Sequence, residues 1–110
     1  MKEQQTQKCF AQAELEQLQE RMADQFMLID VRSPEEFALK HIPGAINIPL
    51  DELETRSSRF LKGAFIITTC GKGGGRSEQA AALLSQLGFE KVNFLCGGTL
   101  GWFEAQGKGK

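Results

Sequence analysis

Short dense apolar runs alternate along this chain with longer stretches in which apolar residues recur every three or four positions. Leu15, Leu18 and Met22 lie at helical spacing in a segment rich in Gln, Glu and Ala, which predicts a helix over 11–23. Residues 26–31 (FMLIDV) are too short a run for a helix and suit a strand buried on both faces. Ser33 then precedes Pro34, with Glu36 three residues after Ser33, a capping-box start that predicts a short helix over 34–40. His41-Ile42-Pro43-Gly44 ends it. Residues 45–48 form a further strand closed by Pro49, and 50–61 place Leu50, Leu53, Phe60 and Leu61 in a mostly charged, less regular helix.

The run 65–69 (FIITT), aromatic and β-branched throughout, is the strongest strand signal, and it leads directly into Cys70. From Arg76 onward Ala80, Leu83, Leu84 and Leu87 share one helical face, and Gly88 supplies the stop. Residues 92–95 are the last strand, Gly97-Gly98 turn the chain, and Leu100, Trp102 and Phe103 fit a closing helix; a weaker strand is expected around Phe10. Strands alternating with helices predict an α/β layer fold with a parallel sheet, in which ligands collect at the carboxyl ends of strands. Cys70 stands at such an end. The 110 residues sustain one core, expected over 9–106, between flexible ends at 1–8 and 107–110.

Charge changes this picture little. With 41% hydrophobic and 25% charged residues, net charge −1 and pI near 5.8, the composition is that of a soluble globular protein without a global field for nucleic acid or an anionic membrane. No apolar run approaches a membrane span, and residues 1–25 are too charged and Gln-rich for a secretory signal, so the cytoplasm is the default compartment. Cys9, Cys70 and Cys96 are an odd set without CxxC spacing, and with a single histidine, His41, no metal site is expected and no cofactor is implied. At least one free thiol follows.

The chemistry concentrates in TTCGKGGGRSEQ, residues 68–79. Gly71, Gly73, Gly74 and Gly75 permit tight curvature, so that successive N–H groups can converge on one centre, and the helix that follows adds its unpaired N–H groups and positive dipole end. Together with Lys72 and Arg76 this forms an anion cradle that would stabilise Cys70 as a thiolate, the nucleophilic form. Arg76 can grip two oxygens of an oxyanion, and Ser77 opens the helix beside it. Cys70 is therefore the candidate nucleophile, with Gly71, Lys72, Gly73, Gly74, Gly75, Arg76 and Ser77 as the candidate binding residues.

Two further stretches carry a family resemblance. LIDVRSPEEFALKHIPGAINIPL (28–50) resembles the Asp-Val-Arg, Glu-Phe, His-Ile-Pro-Gly-Ala signature of rhodanese-like proteins, and LCGGTLGW (95–102) resembles their closing Gly-Gly…Trp element. The resemblance covers about 8–106 and implies a five-stranded, mainly parallel sheet flanked by helices on both faces. It implies a Cys70 persulfide formed from a small sulfur donor such as thiosulfate and passed to cyanide, a thiol or a sulfur-carrying protein partner. The usual sulfurtransferase loop has four residues between Cys and the closing Arg or Thr; this chain has five, a spacing that resembles the dual-specificity phosphatases and arsenate reductases of the same fold. Phosphate or arsenate chemistry is thus the alternative, disfavoured because the loop holds no carboxylate to protonate a leaving alkoxide. A non-catalytic sulfur carrier is the other.

Asp30 and Arg32 read as a buried ion pair or backbone-bonding turn, and His41 as a packing residue. Trp102 and Phe103 read as core anchors. Cys96 reads as a small filler before Gly97; the family's sheet order implies that it could also lie near Cys70 and bond to it.

Overall fold

The computed structural model describes residues 9–21, 26–72 and 75–108. The segments 1–8 and 22–25, which includes Met22, together with Gly73, Gly74 and residues 109–110, lie outside the described residues. The chain runs α1 (Gln12–Arg21), β1 (Phe26–Asp30), α2 (Pro34–Leu39), β2 (Ile46–Asn47), α3 (Leu50–Arg56) with a 3₁₀ turn (Ser57–Arg59), β3 (Phe65–Thr69), α4 (Gly75–Gln86), β4 (Lys91–Phe94) and α5 (Gly98–Lys108). The strands lie in the order β2-β1-β3-β4, every pair parallel. The expected fifth strand is reduced to one parallel bridge, Phe10 to Leu95. Phe10 donates to Phe94 O and accepts from Cys96 N, and α1 starts two residues later, leaving no length for a ladder.

Period-two alternation assigns each strand residue to one of two cores. Met27, Ile29, Val31 and Ile66 join Leu53, Ala80, Leu84 and Phe89 on the α3/α4 face. Phe26, Leu28, Phe65 and Ile67 join Leu15, Leu18, Leu95 and Trp102 on the α1/α5 face. Both faces of the sheet are covered, which is why the strands read as continuous apolar runs. The capping box is present as expected: Ser33 Oγ accepts from Glu36 N, and the Glu36 carboxylate accepts from Ser33 N. Among the described residues no helix is long and apolar enough to cross a membrane.

The structure corrects the reading of Cys96. It is disulfide-bonded to Cys9 across 87 positions, with 4.9 Å between their Cα atoms, and Cys70 stands outside any disulfide. The Phe10–Leu95 bridge brings the two cysteines, one on either side of it in sequence, within bonding range. A bond between Cys96 and Cys70 is therefore not part of this fold. Disulfides persist in oxidising surroundings, so this bond weighs against the cytoplasmic default. Gly97 serves the same junction: its φ of 73° suits glycine, and a Cβ there would stand 2.6 Å from Gln12 Nε2, which donates to Cys96 O at 2.6 Å. Reducing the bond, or replacing Cys96 with Ser, is expected to lower unfolding stability by about 2–4 kcal/mol. Urea unfolding of the oxidised and reduced protein measures this, and coincident midpoints would show that the bond contributes nothing.

Candidate active site at the carboxyl edge of the sheet

From β1 the chain proceeds outward to β2, and from β3 it proceeds outward the other way to β4, so the topological switch point lies between β1 and β3. Crevices form at such points, beyond the strand ends. Asp30 and Thr69 are register partners at those ends, and Val31 N donates to Thr69 O at 2.9 Å.

The turn after β1 is built on a buried charge pair. Asp30 is fully buried and Arg32 nearly so. Asp30 Oδ1 accepts from Arg32 N at 3.0 Å and from Arg32 Nε at 2.9 Å, and Oδ2 accepts from the terminal guanidinium nitrogen at 2.8 Å. That nitrogen also donates to Lys40 O at 2.5 Å, tying the turn to the end of α2. Asn47 Nδ2 donates to the carbonyls of Asp30 and Arg32 at 3.1 and 3.0 Å. Asp30 and Arg32 are thus occupied in holding the turn, as the sequence implied.

Three consecutive residues at the end of β3 grip alternate faces. Thr68 donates its hydroxyl to Ser77 O in α4 at 2.7 Å; the Thr69 and Thr99 hydroxyls meet at 3.2 Å on the α5 side; Cys70 Sγ returns to α4, 3.4 Å from Ser77 Oγ. Cys70 is 4% exposed and packs in the α3/α4 core. Thr99 hydroxyl also reaches Asp30 Oδ2 at 3.3 Å, so one threonine joins the β1 turn to the β3 turn.

Past Cys70 the chain is held by its carbonyls. Thr99 N donates to Cys70 O at 2.7 Å and Leu100 N to Gly71 O at 2.8 Å, both from the first turn of α5. Each peptide plane points its N–H opposite to its carbonyl. The N–H groups of Gly71 and Lys72 therefore both face away from α5, on one side of the loop. Lys72 is exposed, and Gly75 opens α4 with φ 30°. Gly73 and Gly74, expected in the cradle, lie outside the described residues.

Arg76 meets a carboxylate from another helix. Its two terminal nitrogens address Glu36, at 3.0 Å to Oε1 and 3.4 Å to Oε2, so the fork expected to take an oxyanion holds a protein carboxylate. Hydrogen bonds from Arg76 and from Ser33 N lower the Glu36 carboxyl from its ordinary 4.5 to about 2. The same pairing with Glu36 raises Arg76, with smaller contributions from Cys70 and Asp30. Arg76 also borders an open cleft of about 440 Å³ with Ser33, Pro34, Pro49 and Leu50. The sequence showed Glu36 only as a capping residue and gave no sign of Thr99; both act across the switch point, where local spacing carries no information.

His41 stacks on Phe37 with centroids 3.8 Å apart, and its Nδ1 lies 2.8 Å from Phe37 O. Trp102 packs in the α1/α5 core, and Lys40 Nζ stands 4.8 Å above the Phe103 ring. Among the described residues no group of three or more His, Cys, Asp or Glu is placed to hold a metal ion.

Comparison with known proteins agrees with this architecture. Residues 12–105 match the family model of the rhodanese-like domain. A sulfurtransferase of Allochromatium vinosum is 37% identical over 89 residues, covering 79% of this chain and 82% of that protein. Thiosulfate sulfurtransferase 16, chloroplastic, of Arabidopsis thaliana is 40% identical over 86 residues, 67% of this chain and 71% of its own. The structure of the human single-domain sulfurtransferase TSTD1 superimposes with a TM-score of 0.76 at 29% identity, over 87% of this chain and 95% of that one.

Replacing Asp30 with Asn strands Arg32 as a buried uncompensated charge and is expected to cost about 3–5 kcal/mol in denaturant unfolding; a loss below 1 kcal/mol would show the pair to be expendable. Because the Glu36 carboxyl is lowered on folding, its stabilising contribution is complete above pH 4.5 and is lost as pH falls toward about 2. Acid unfolding of the Glu36→Gln protein should accordingly show a shallower loss of stability across that window than the parent chain.

Proposed function

Because the chain belongs to the rhodanese-like domain family, we propose that it is a sulfurtransferase that moves sulfane sulfur from a small donor such as thiosulfate to a thiol or cyanide through a persulfide on Cys70. The observation that carries this reading is the position of the cysteine that takes no part in the disulfide. Cys70 directly follows the interior strand β3 at the switch point, with α4 opening beside it and two consecutive N–H groups turned to one side of the loop.

In the first step the Cys70 thiolate attacks the outer sulfur of thiosulfate. A new S–S bond forms, the S–S bond of the donor breaks, and sulfite leaves with its electron pair. In the second step the acceptor nucleophile attacks the terminal sulfur of the persulfide, and Cys70 departs as thiolate. Neither step needs a proton delivered to a leaving group. Negative charge is carried through both, and the loop N–H groups, the start of α4 and the cations Lys72 and Arg76 are the groups suited to stabilise it. Gly71 and Gly75 flank that cradle, with Gly73 and Gly74 between them in sequence, and Ser77, 3.4 Å from Sγ, orients the sulfur.

The alternative, phosphoryl or arsenate chemistry suited to the five-residue spacing, needs a protonated carboxyl to assist a leaving oxygen. The carboxylate that faces Arg76 is Glu36, held at about 2 and therefore ionised at neutral pH, a poor acid for that purpose. This supports sulfur transfer over its rival. The relatives named as sulfurtransferases support it independently.

Incubation with thiosulfate is expected to add one sulfur atom to Cys70, read by intact-mass and peptide mass spectrometry, with none added in Cys70→Ser. Release of thiocyanate with cyanide should follow. Adduct without turnover would make the domain a carrier, and hydrolysis of an aryl phosphate without any adduct would replace this proposal with its alternative.

A further inference from the structure

Arg76 and Glu36 reach each other from opposite sides of the switch point. Arg76 stands in the first turn of α4, after β3; Glu36 stands in the first turn of α2, after β1. The carboxylate is fixed before any ligand arrives, because Oε1 also accepts from Ser33 N at 3.0 Å and from the Ser33 hydroxyl at 3.2 Å. Both terminal guanidinium nitrogens are engaged, the geometry that a sulfonate or sulfate end would otherwise use.

Resting on the sulfur-transfer reading, we propose that Glu36 is a specificity-determining residue: its carboxylate competes with the donor's oxyanion for Arg76, so the site discriminates against dianionic donors such as thiosulfate and favours donors of lower charge such as an organic hydropersulfide.

Magnitudes make this a bias rather than a block. Both side chains are close to half exposed, 43% and 44%, so water screens the pair and an arriving anion can displace it. Repulsion between a donor and the ionised carboxylate grows with donor charge, so a dianion is disfavoured about twice as strongly as a monoanion at the same distance. Of the other acids near Arg76, Asp30 is neutralised by Arg32 within the buried turn and Glu52 pairs with Arg56, while Asp51 lines the same cleft. Glu36 is the carboxylate in direct contact with Arg76, and so the one an arriving oxyanion must displace.

Glutamine separates the two duties of this residue. Its amide oxygen can still accept from Ser33 N and keep the capping box, while the charge on Arg76's partner is gone. In Glu36→Gln, checked for folding by thermal unfolding, the KM for thiosulfate is expected to fall roughly two- to fivefold with kcat little changed. The KM for the monoanion methanethiosulfonate should fall less, and the dependence on cyanide should not move. Sulfate, which transfers nothing, should protect Cys70 from iodoacetamide at a two- to fivefold lower concentration in the variant.

A rise in thiosulfate KM together with weaker sulfate protection would overturn the proposal, since that is the signature of a residue that aims Arg76 at its ligand. Unchanged values would reduce Glu36 to a helix cap and overturn it equally. Should neither protein form a persulfide with any donor, the sulfur-transfer reading fails, and the sulfate comparison still decides whether Glu36 competes for Arg76.

Discussion

The organisation of this protein depends on the burial of one carboxylate. Asp30 lies at the end of a central strand with no access to water, and it is tolerable there only because every approach to it is a donor: Arg32 backbone and guanidinium on one side, the Thr99 hydroxyl on the other. Satisfying that single group shapes the turn after β1. It also pulls the start of α5 against the end of β3, where Thr99 and Leu100 take hold of the carbonyls of Cys70 and Gly71. The backbone of Cys70 is thus oriented by a buried charge pair at the end of the neighbouring strand. Rigidity of this kind is what a preorganised electrostatic site requires, since donors that must reorient during reaction lose most of their value.

Two faces of the sheet contribute differently. The α3/α4 face supplies the apolar bed on which Cys70 lies, along with the hydroxyl of Ser77 next to its sulfur. On the α1/α5 side come the fastenings: the Thr69–Thr99 contact, the carbonyl grips, and the covalent link between Cys9 and Cys96 behind them. A parallel sheet with crossovers to both sides makes this division of labour possible, because residues adjacent in sequence face opposite layers.

Much of this was legible beforehand. The strand 65–69 and the capped helix after Ser33 are local events, decided by side-chain branching and by hydrogen bonds within four residues, so the sequence displays them openly. Cys70 at a strand end before a glycine run was legible for the same reason. The partner of Cys9 was not, because it depends on Phe10 lying beside Leu95, and a strand expected at each place does not say which strands become neighbours. The engagement of Arg76 by Glu36 was hidden in another way. The capping box already accounted for the glutamate, and a residue with one evident duty gives no sign of a second.

That second duty has a practical consequence for engineering. A loop of this type cannot be moved to another scaffold as the contiguous stretch from Cys70 to Ser77, because the carboxylate facing its arginine belongs to a different helix whose own start fixes where that carboxylate sits. A graft would have to bring the Ser33–Glu36 turn along as a matched half. Transplanted alone, the loop would present its guanidinium to whatever anion the buffer or the host surface offered.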